Sequence, residues 1–474
     1  MTQELAGAEA TIFHKLTRQI ASHRRRNLNL SLYADAKKRI DNTMMSIPKS
    51  MMDLAVVIGW PEKAVATPAR WIKPTGYRQV GNGTIASDIS VAVNDDRVPI
   101  LDKMATRSSL RHGCAFMFIT KGDTAAGEPE VIYSAKSALE ATATMNMRTM
   151  RVDASLEVVD KKHWVLYLGD RALEIESIGS SLYVTRETRT KSPNPCVLYR
   201  WDPTLEQPFG RSRINDVVLG LTELAVRTIL RLEVHGEAYA MPRRALMGAH
   251  EAAFTDKNGE PIDPLSILAT AVWGIPDFFD EETGEWREPR LEQLTQGSME
   301  PHIAALRALS GLYASETHLP KSLVGLHTEN PASAEAINLE SAPLADIVSD
   351  MLPYYSQARR DLAYHTMAIV HGDSETLRNE MRKVRATFEA PGMNSVAQQM
   401  DMALKLGAAL EWAKDTDTFI DILPIQEAQK EQLRNARERQ TATNIARDLI
   451  NAINNRDTPR PSPPAATELT QIEA

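Results

Sequence analysis

Apolar residues recur at helical spacing along much of this chain, and at alternating spacing in one central block. Residues 1 to 60 read as mainly helical, with Leu28, Leu32, Ala36 and Ile40 four apart and Pro48 closing the run. A further helix is expected from Pro99 to Gly113. The period then shortens. The runs CAFMFIT from Cys114, PEVIYS from Pro129, MRVDASLEVV from Met150, HWVLYL from His163, ALEIES from Ala172 and SLYVTR from Ser181 are bounded by Gly, Asp, Ser or Lys turns. They predict an antiparallel sheet region over roughly 113 to 200.

Ser212 opens a strongly amphipathic stretch in which Ile214, Val217, Val218, Leu221, Leu224, Ala225 and Leu232 share one broad helical face, with Gly236 as its stop. Residues 237 to 299 lose that pattern. They are rich in turns such as Lys257-Asn258-Gly259 and Glu282-Thr283-Gly284, carry Trp273, Phe278, Phe279 and Trp286, and suit a small α/β lobe. A second helix runs from Pro301 to Thr317 on Ile303, Leu306, Leu309, Leu312 and Tyr313, and Pro320 ends it. Gly325 and Asn330-Pro331 hold the next residues out of helix until Ser333 caps a long one reaching His371, interrupted at Pro343 and Pro353, each of which should kink it or start a new segment. After a strand VRATF and Pro391-Gly392, helices follow at 394–414 and 425–454. The last has only a narrow apolar stripe and needs neighbours to bury it. Beyond Asp457 the chain is Pro-rich and expected to be disordered. The fold class is therefore α+β, with two helices flanking a lobe inserted between them.

At 474 residues the chain can bury more than one core, and 43% hydrophobic with 24% charged residues is the composition of a folded protein. No apolar run approaches the length of roughly 20 residues that a bilayer requires. The amino terminus lacks a basic start followed by an apolar core, so no signal peptide is expected and the protein is placed on the cytoplasmic side. Cys114 and Cys196 are too few for a disulfide framework and read as buried thiols. A net charge of −8 argues against tight gripping of nucleic acid. It remains compatible with a conduit, because an acidic wall repels the DNA backbone. His23-Arg24-Arg25-Arg26 is the one dense basic cluster and reads as a solvated helix face, with nucleic acid or an acidic neighbouring subunit as the alternative.

The search for chemistry is mostly negative. Walker A, G-x-S-x-G, H-E-x-x-H and Rossmann glycine patterns are missing, which argues against an ATPase motor. The acidic run from Asp277 to Glu285 lacks the alternating spacing of a calcium loop. The histidines are scattered, and His318 and His327 have no partner at metal-ligand spacing. No catalytic residue, cofactor or metal is expected.

The stretch HLPKSLVGLHTENPASAEAI, residues 318 to 337, resembles the region that carries the tunnel loop in portal proteins of tailed bacteriophages. The matching residues are Leu319, Pro320, Gly325, Asn330, Pro331, Ser333, Ala334, Glu335 and Ala336. Other blocks agree in the family's order. Pro208-Phe209-Gly210-Arg211-Ser212-Arg213-Ile214 resembles the entry to the first stem helix. Ile47-Pro48 with Val56-Val57-Ile58-Gly59-Trp60-Pro61 resembles the amino-terminal wing of portals from actinobacterial phages. Ser395-Val396-Ala397-Gln398-Gln399-Met400-Asp401 with Lys405 resembles an element near the carboxyl end.

The resemblance implies a portal fold: a wing over 1–211, a first stem helix over 212–236, a clip over 237–299 and a second stem helix over 300–317. A tunnel loop over 318–332, a long wing helix with a return strand over 333–390, crown helices over 391–455 and a disordered tail over 456–474 complete it. It also implies a homo-oligomeric ring of about twelve subunits with heterologous interfaces. The ring would sit at a virion vertex, be assembled in the host cytoplasm, pass double-stranded DNA without sequence preference, and dock terminase, the major capsid protein and head-completion or adaptor proteins. Lys321, Ser322, His327, Thr328 and Asn330 would face the DNA channel, and Ile214, Val217, Val218, Leu221 and Leu224 would form the stem-helix face. The rival readings are another head-tail adaptor ring or a soluble nucleic-acid-processing enzyme.

Overall fold

A computed structural model describes residues 3–39, 57–80, 85–93, 95, 97–239, 244–248, 255, 260–261, 277–280, 284–293, 297–325, 334–392, 396–425 and 427–454. The chain divides into two units, Met1–Gly392 and Met393–Ala474. The first begins with β1 (Gln3–Glu4), α1 (Gly7–Ala34), α2 (Trp60–Trp71), β2 (Pro74–Gln79), α3 (Ile85–Ala92) and α4 (Arg97–His112). A run of strands follows: β3 (Cys114–Lys121), β4 (Val131–Ser137), β5 (Ala141–Asn146), β6 (Arg151–Val158), β7 (His163–Leu168), β8 (Arg171–Ile178), β9 (Ser181–Arg189) and β10 (Cys196–Arg200). Next come α5 (Asp216–Tyr239), β11 (Arg244–Met247), β12 (Phe278–Asp280), β13 (Glu285–Arg287), β14 (Arg290–Gln293) and α6 (Glu300–Thr317). The unit closes with α7 (Ala334–His371), α8 (Glu375–Arg382) and β15 (Val384–Phe388).

The strands at 113–200 form two antiparallel sheets, one ordered β1-β9-β8-β7-β6-β5 and the other β10-β3-β4. In the larger sheet Leu156, Leu166 and Leu173 stand opposite one another across β6, β7 and β8, a ladder that fixes register because a one-residue slip would turn all three to the other face. Helix α1 covers that ladder with Phe13, Leu16 and Ile20. Phe13 meets Trp164 edge to face at 5.6 Å. The expected stripe on α1 is corrected: Leu28 and Leu32 are each 42% exposed, and Ala36 lies past the helix with a φ of +53°. The leucine spacing was helical but the sheet is covered from an earlier turn. Ile40 and Pro48 lie outside the described residues.

Strand β3 has no polar face. Phe116 and Phe118 pack with Ala141, Ala143, Tyr167 and Cys196 against the larger sheet. The alternate residues Ala115, Met117 and Ile119 face the main core. A strand buried on both sides reads as a continuous apolar run, which is what CAFMFIT is. The main core gathers α2, α4, α5, α6 and α7 over this small sheet. Helix α7 supplies Leu344, Val348, Tyr355, Ala358 and Leu362 at helical spacing and runs unbroken through Pro343 and Pro353. Neither proline starts a new segment; each removes one N–H from the ladder, and packing along 38 residues outweighs that loss.

Beneath this core a buried ion pair crosses the unit. Arg359 Nη1 of α7 meets Asp102 Oδ2 of α4 at 2.9 Å, with the side chains 10% and 6% exposed. Tyr199 of β10 donates to the other Asp102 oxygen at 2.7 Å. Tyr77 of β2 donates to the Arg359 carbonyl at 3.2 Å, and burial pushes its own hydroxyl up to about 12. Strand β2 pairs with β15 in a separate two-stranded ribbon.

The second unit is helical among its described residues: α9 (Val396–Ala409), a 3-10 turn at Glu411–Asp415, α10 (Asp417–Ile422) and α11 (Glu427–Asn454). Its buried side chains include Ala403, Ala413 and Ile420. The hydroxyl of Thr416 caps α10 by accepting from the Phe419 N–H at 3.3 Å.

Candidate functional site

The path into α5 is set by two glycines. Gly113 and Gly210 hold φ of +99° and +95°, and a Cβ on Gly113 would lie 2.9 Å from the Gly210 carbonyl oxygen. Only glycine permits two backbones to cross at that distance in that conformation. The crossing lets the following residues cap α4, whose last carbonyls have no partner within the helix. Ser212 Oγ donates to Arg111 O at 2.6 Å, and the Arg213 N–H to Leu110 O at 2.9 Å. Arg213 then reaches across the unit. Its Nε donates to Ala64 O of α2 at 2.8 Å, its Nη2 to Thr317 O at the end of α6, and it stacks over Trp201 at 5.4 Å. Burial pulls this guanidinium down to about 10, so it stays charged at neutral pH.

Helix α5 begins at Asp216, four residues later than expected, because Ser212 and Arg213 cap α4 instead. Asn215 is the cap, its Oδ1 accepting from the Val218 N–H at 2.8 Å. Gly236 lies inside the helix, which continues to Tyr239. Helices α5 and α6 pack along their length. Asn215 Nδ2 donates to Glu316 Oε1 at 2.9 Å at one end, while His235 Nδ1 meets His302 Nε2 at 3.1 Å at the other. The start of each helix therefore lies beside the end of its partner, and the pair is antiparallel.

The expected α5 face is divided. Ile214 and Val218 are each 1% exposed, Leu221 is half-buried, and Val217 and Leu224 are 50% and 46% exposed. Val217 and Leu224 are seven residues apart and share a side of the helix turned to solvent. On α6, Leu312 is also exposed. Between the two helices in the chain lie the antiparallel pairs β11–β14 and β12–β13. Phe279 and Trp286 meet edge to face at 5.7 Å on the second pair, and both are exposed.

Past α6, His318 adopts the left-handed conformation at φ +55° and its N–H returns to the helix, ending it. Leu319 is buried before a 3-10 turn at Lys321–Val324, and Val324 is buried at the end of that turn. Glu340 of α7 accepts backbone N–H bonds from Lys321 and Ser322, the latter at 3.3 Å. Lys63 Nζ donates to Leu323 O at 2.6 Å, and Tyr313 OH to Trp60 O at 2.6 Å. Lys321 and Ser322 thus sit together on an exposed turn pinned by α2 and α7. His327, Thr328 and Asn330 lie outside the described residues.

The contacts of Arg213, Glu340 and the Asp102–Arg359 pair have no local signature, because their partners are far away in the chain. A cavity of about 280 Å³ lies between α1 and residues 206–210, with His23, Arg26, His112 and Cys114 among its lining. Burial pushes the Cys114 thiol up to about 12 and pulls His112 down to about 4, leaving both neutral and the thiol unreactive. Among the described residues no cluster of three or more His, Cys, Asp or Glu could hold a metal ion, and no helix is long and apolar enough to cross a membrane.

No family model matches the chain. The portal protein of Mycobacterium phage L5 is 19% identical over 397 residues, covering 79% of this chain and 77% of that protein. The portal protein of Mycobacterium phage D29 is 22% identical over 207 residues, covering 43% and 39%. Among solved structures, the neck of an empty GTA particle computed with C6 symmetry aligns with 88% of this chain and 96% of that one, at a TM-score of 0.43 and 11% identity. The neck of a native GTA particle computed with C12 symmetry aligns with 86% and 93%, at 0.41 and 11%. The resemblance to phage portal proteins, first seen in short motifs, therefore extends over most of the chain.

Proposed function

We propose that this chain is the subunit of a portal ring at one vertex of a phage capsid, through which double-stranded DNA enters during packaging and leaves on ejection. The observation that carries this reading is similarity to a mycobacteriophage portal protein over 79% of this chain and 77% of the relative. The antiparallel α5/α6 pair around a small β lobe supports assigning residues 212–236 and 300–317 to stem helices and 237–299 to the clip. Residues 1–211 would be the wing, 318–332 the tunnel loop, 333–390 the long wing helix with its return strand, 391–455 the crown, and 456–474 a tail.

The ring would hold about twelve copies joined by heterologous contacts. Val217, Leu224 and Leu312, exposed on the lone chain, are apolar surface that a neighbouring copy would cover. Terminase and then head-completion proteins would meet the clip, and the major capsid protein the wing. The protein would catalyse nothing; its work would be geometric. Lys321, Ser322, His327, Thr328 and Asn330 would face the bore and touch phosphate without reading bases, since any sequence must pass.

Particles carrying a tagged copy of this chain test the reading. Label confined to a single vertex is expected, and label spread over the shell or missing from particles would overturn it. Lys321→Ala should alter the length of DNA packaged; unchanged packaging removes Lys321 from the channel.

A further inference from the structure

The two histidines that close the far end of the helix pair are 67 residues apart in sequence and come from the two different helices of the antiparallel pair. Their rings meet at nearly a right angle, 84°, with centroids 5.2 Å apart and His235 Nδ1 3.1 Å from His302 Nε2. The second nitrogen of His235 is 3.2 Å from the Gly297 carbonyl oxygen. A carbonyl only accepts, so Nε2 of His235 carries the proton and the lone pair on Nδ1 points at His302. An imidazole whose remote N–H is held by a backbone carbonyl, with its other nitrogen directed at a second imidazole, has the orientation of a metal-ligating histidine. Two imidazoles on one tetrahedral ion, with metal–nitrogen bonds of about 2.0–2.1 Å, hold their nitrogens roughly 3.3 Å apart. The spacing here is already close to that bite. It is also set from outside the pair, because packing along α5 and α6 and the Asn215–Glu316 bond at the other end fix how the helices align.

We propose that His235 and His302 form a two-histidine site for a divalent transition-metal ion of the zinc class, which ties α5 to α6 where the chain enters and leaves the small β lobe. His235 ligates through Nδ1 without changing tautomer. His302 ligates through Nε2, its proton moving to Nδ1. Glu300, two residues before His302, is engaged by Arg307 at 3.2 Å, and water completes the coordination. Neither helix shows the site alone, because metal motifs are read at local spacing and these ligands meet only across the helix pair.

The test uses the full chain, stripped with a chelator and melted with and without zinc chloride. Zinc in large excess over its dissociation constant should raise the melting temperature by about 2 °C or more. The rise should vanish in His235→Ala and in His302→Ala and persist in His371→Ala, which alters an exposed histidine at the end of α7. His302→Gln separates ligation from hydrogen bonding: its amide can still donate to His235, so the fold should be kept and the zinc response lost. No zinc-dependent rise in the native chain, or a rise that survives both single alanine substitutions, overturns the proposal.

Discussion

Where α5 begins and α6 stops, Arg213, Ser212 and Tyr313 fasten the helix pair to α2 and α4, and Asn215 ties the two helices to each other. At the opposite end the pair is joined by His235 and His302 and leads into short strands bearing exposed aromatic residues. The first end uses charge-assisted and buried bonds, most of them to backbone carbonyls. The second uses a contact between two half-buried imidazoles. Among the described residues one end of the pair is thus built into the core, while the other is joined across α5 and α6 by the two histidines.

The contrast predicts a ranking. Arg213→Ala removes the cation that satisfies the Ala64 and Thr317 carbonyls and should cost roughly 2–4 kcal/mol in chemical denaturation. A comparable loss from His302→Ala, measured without metal, would break the contrast, since that bond should contribute no more than about 1 kcal/mol. Gly210→Ala places a Cβ 2.5 Å from Trp201 O in a left-handed conformation, and should cost about 2–3 kcal/mol by the same measurement.

Acid should attack the anchored body next. Burial lowers His112 and His365 from 6.5 to about 4 in the folded chain. The unfolded chain therefore binds more protons between those values, so stability is full above about pH 6.5 and falls as the pH drops toward 4. The loss should be on the order of 1–3 kcal/mol per histidine, read from denaturation midpoints across that window. Replacing both by Gln should flatten the slope. The smallest effect belongs to the lobe: Trp286→Ser, at a side chain 70% exposed, should change stability by no more than about 0.5 kcal/mol.

Elements with a strong local period were legible in the sequence. Strands β7, β8 and β9, the helix before Pro320 and the VRATF strand lie where alternation or helical spacing put them. Strands β5 and β2 were not, because ATATMN and PTGYRQ carry few large apolar residues and are strands only through their partners β6 and β15. The stripe on α1 was misread because Leu28 and Leu32 have helical spacing, whereas burial is decided by the sheet beneath Phe13 and Leu16. That α7 continues past Pro343 and Pro353 without starting a new segment was not legible, since local rules give no weight to packing along the rest of the helix. The motif around Gly210 was visible, but not its reason, the crossing with Gly113 nearly a hundred residues earlier. Arg213, Glu340 and the two-histidine contact are likewise products of long-range pairing. Of the proposed channel residues, Lys321 and Ser322 fall on a pinned turn, and their contact with DNA rests on the family resemblance.

Native mass spectrometry of the purified chain, with negative-stain imaging of the same sample and of the chain co-expressed with its shell proteins, tests the central claim most directly. Closed rings of about twelve subunits around a central hole are the predicted result. A chain that remains a monomer or compact dimer under both conditions would contradict it.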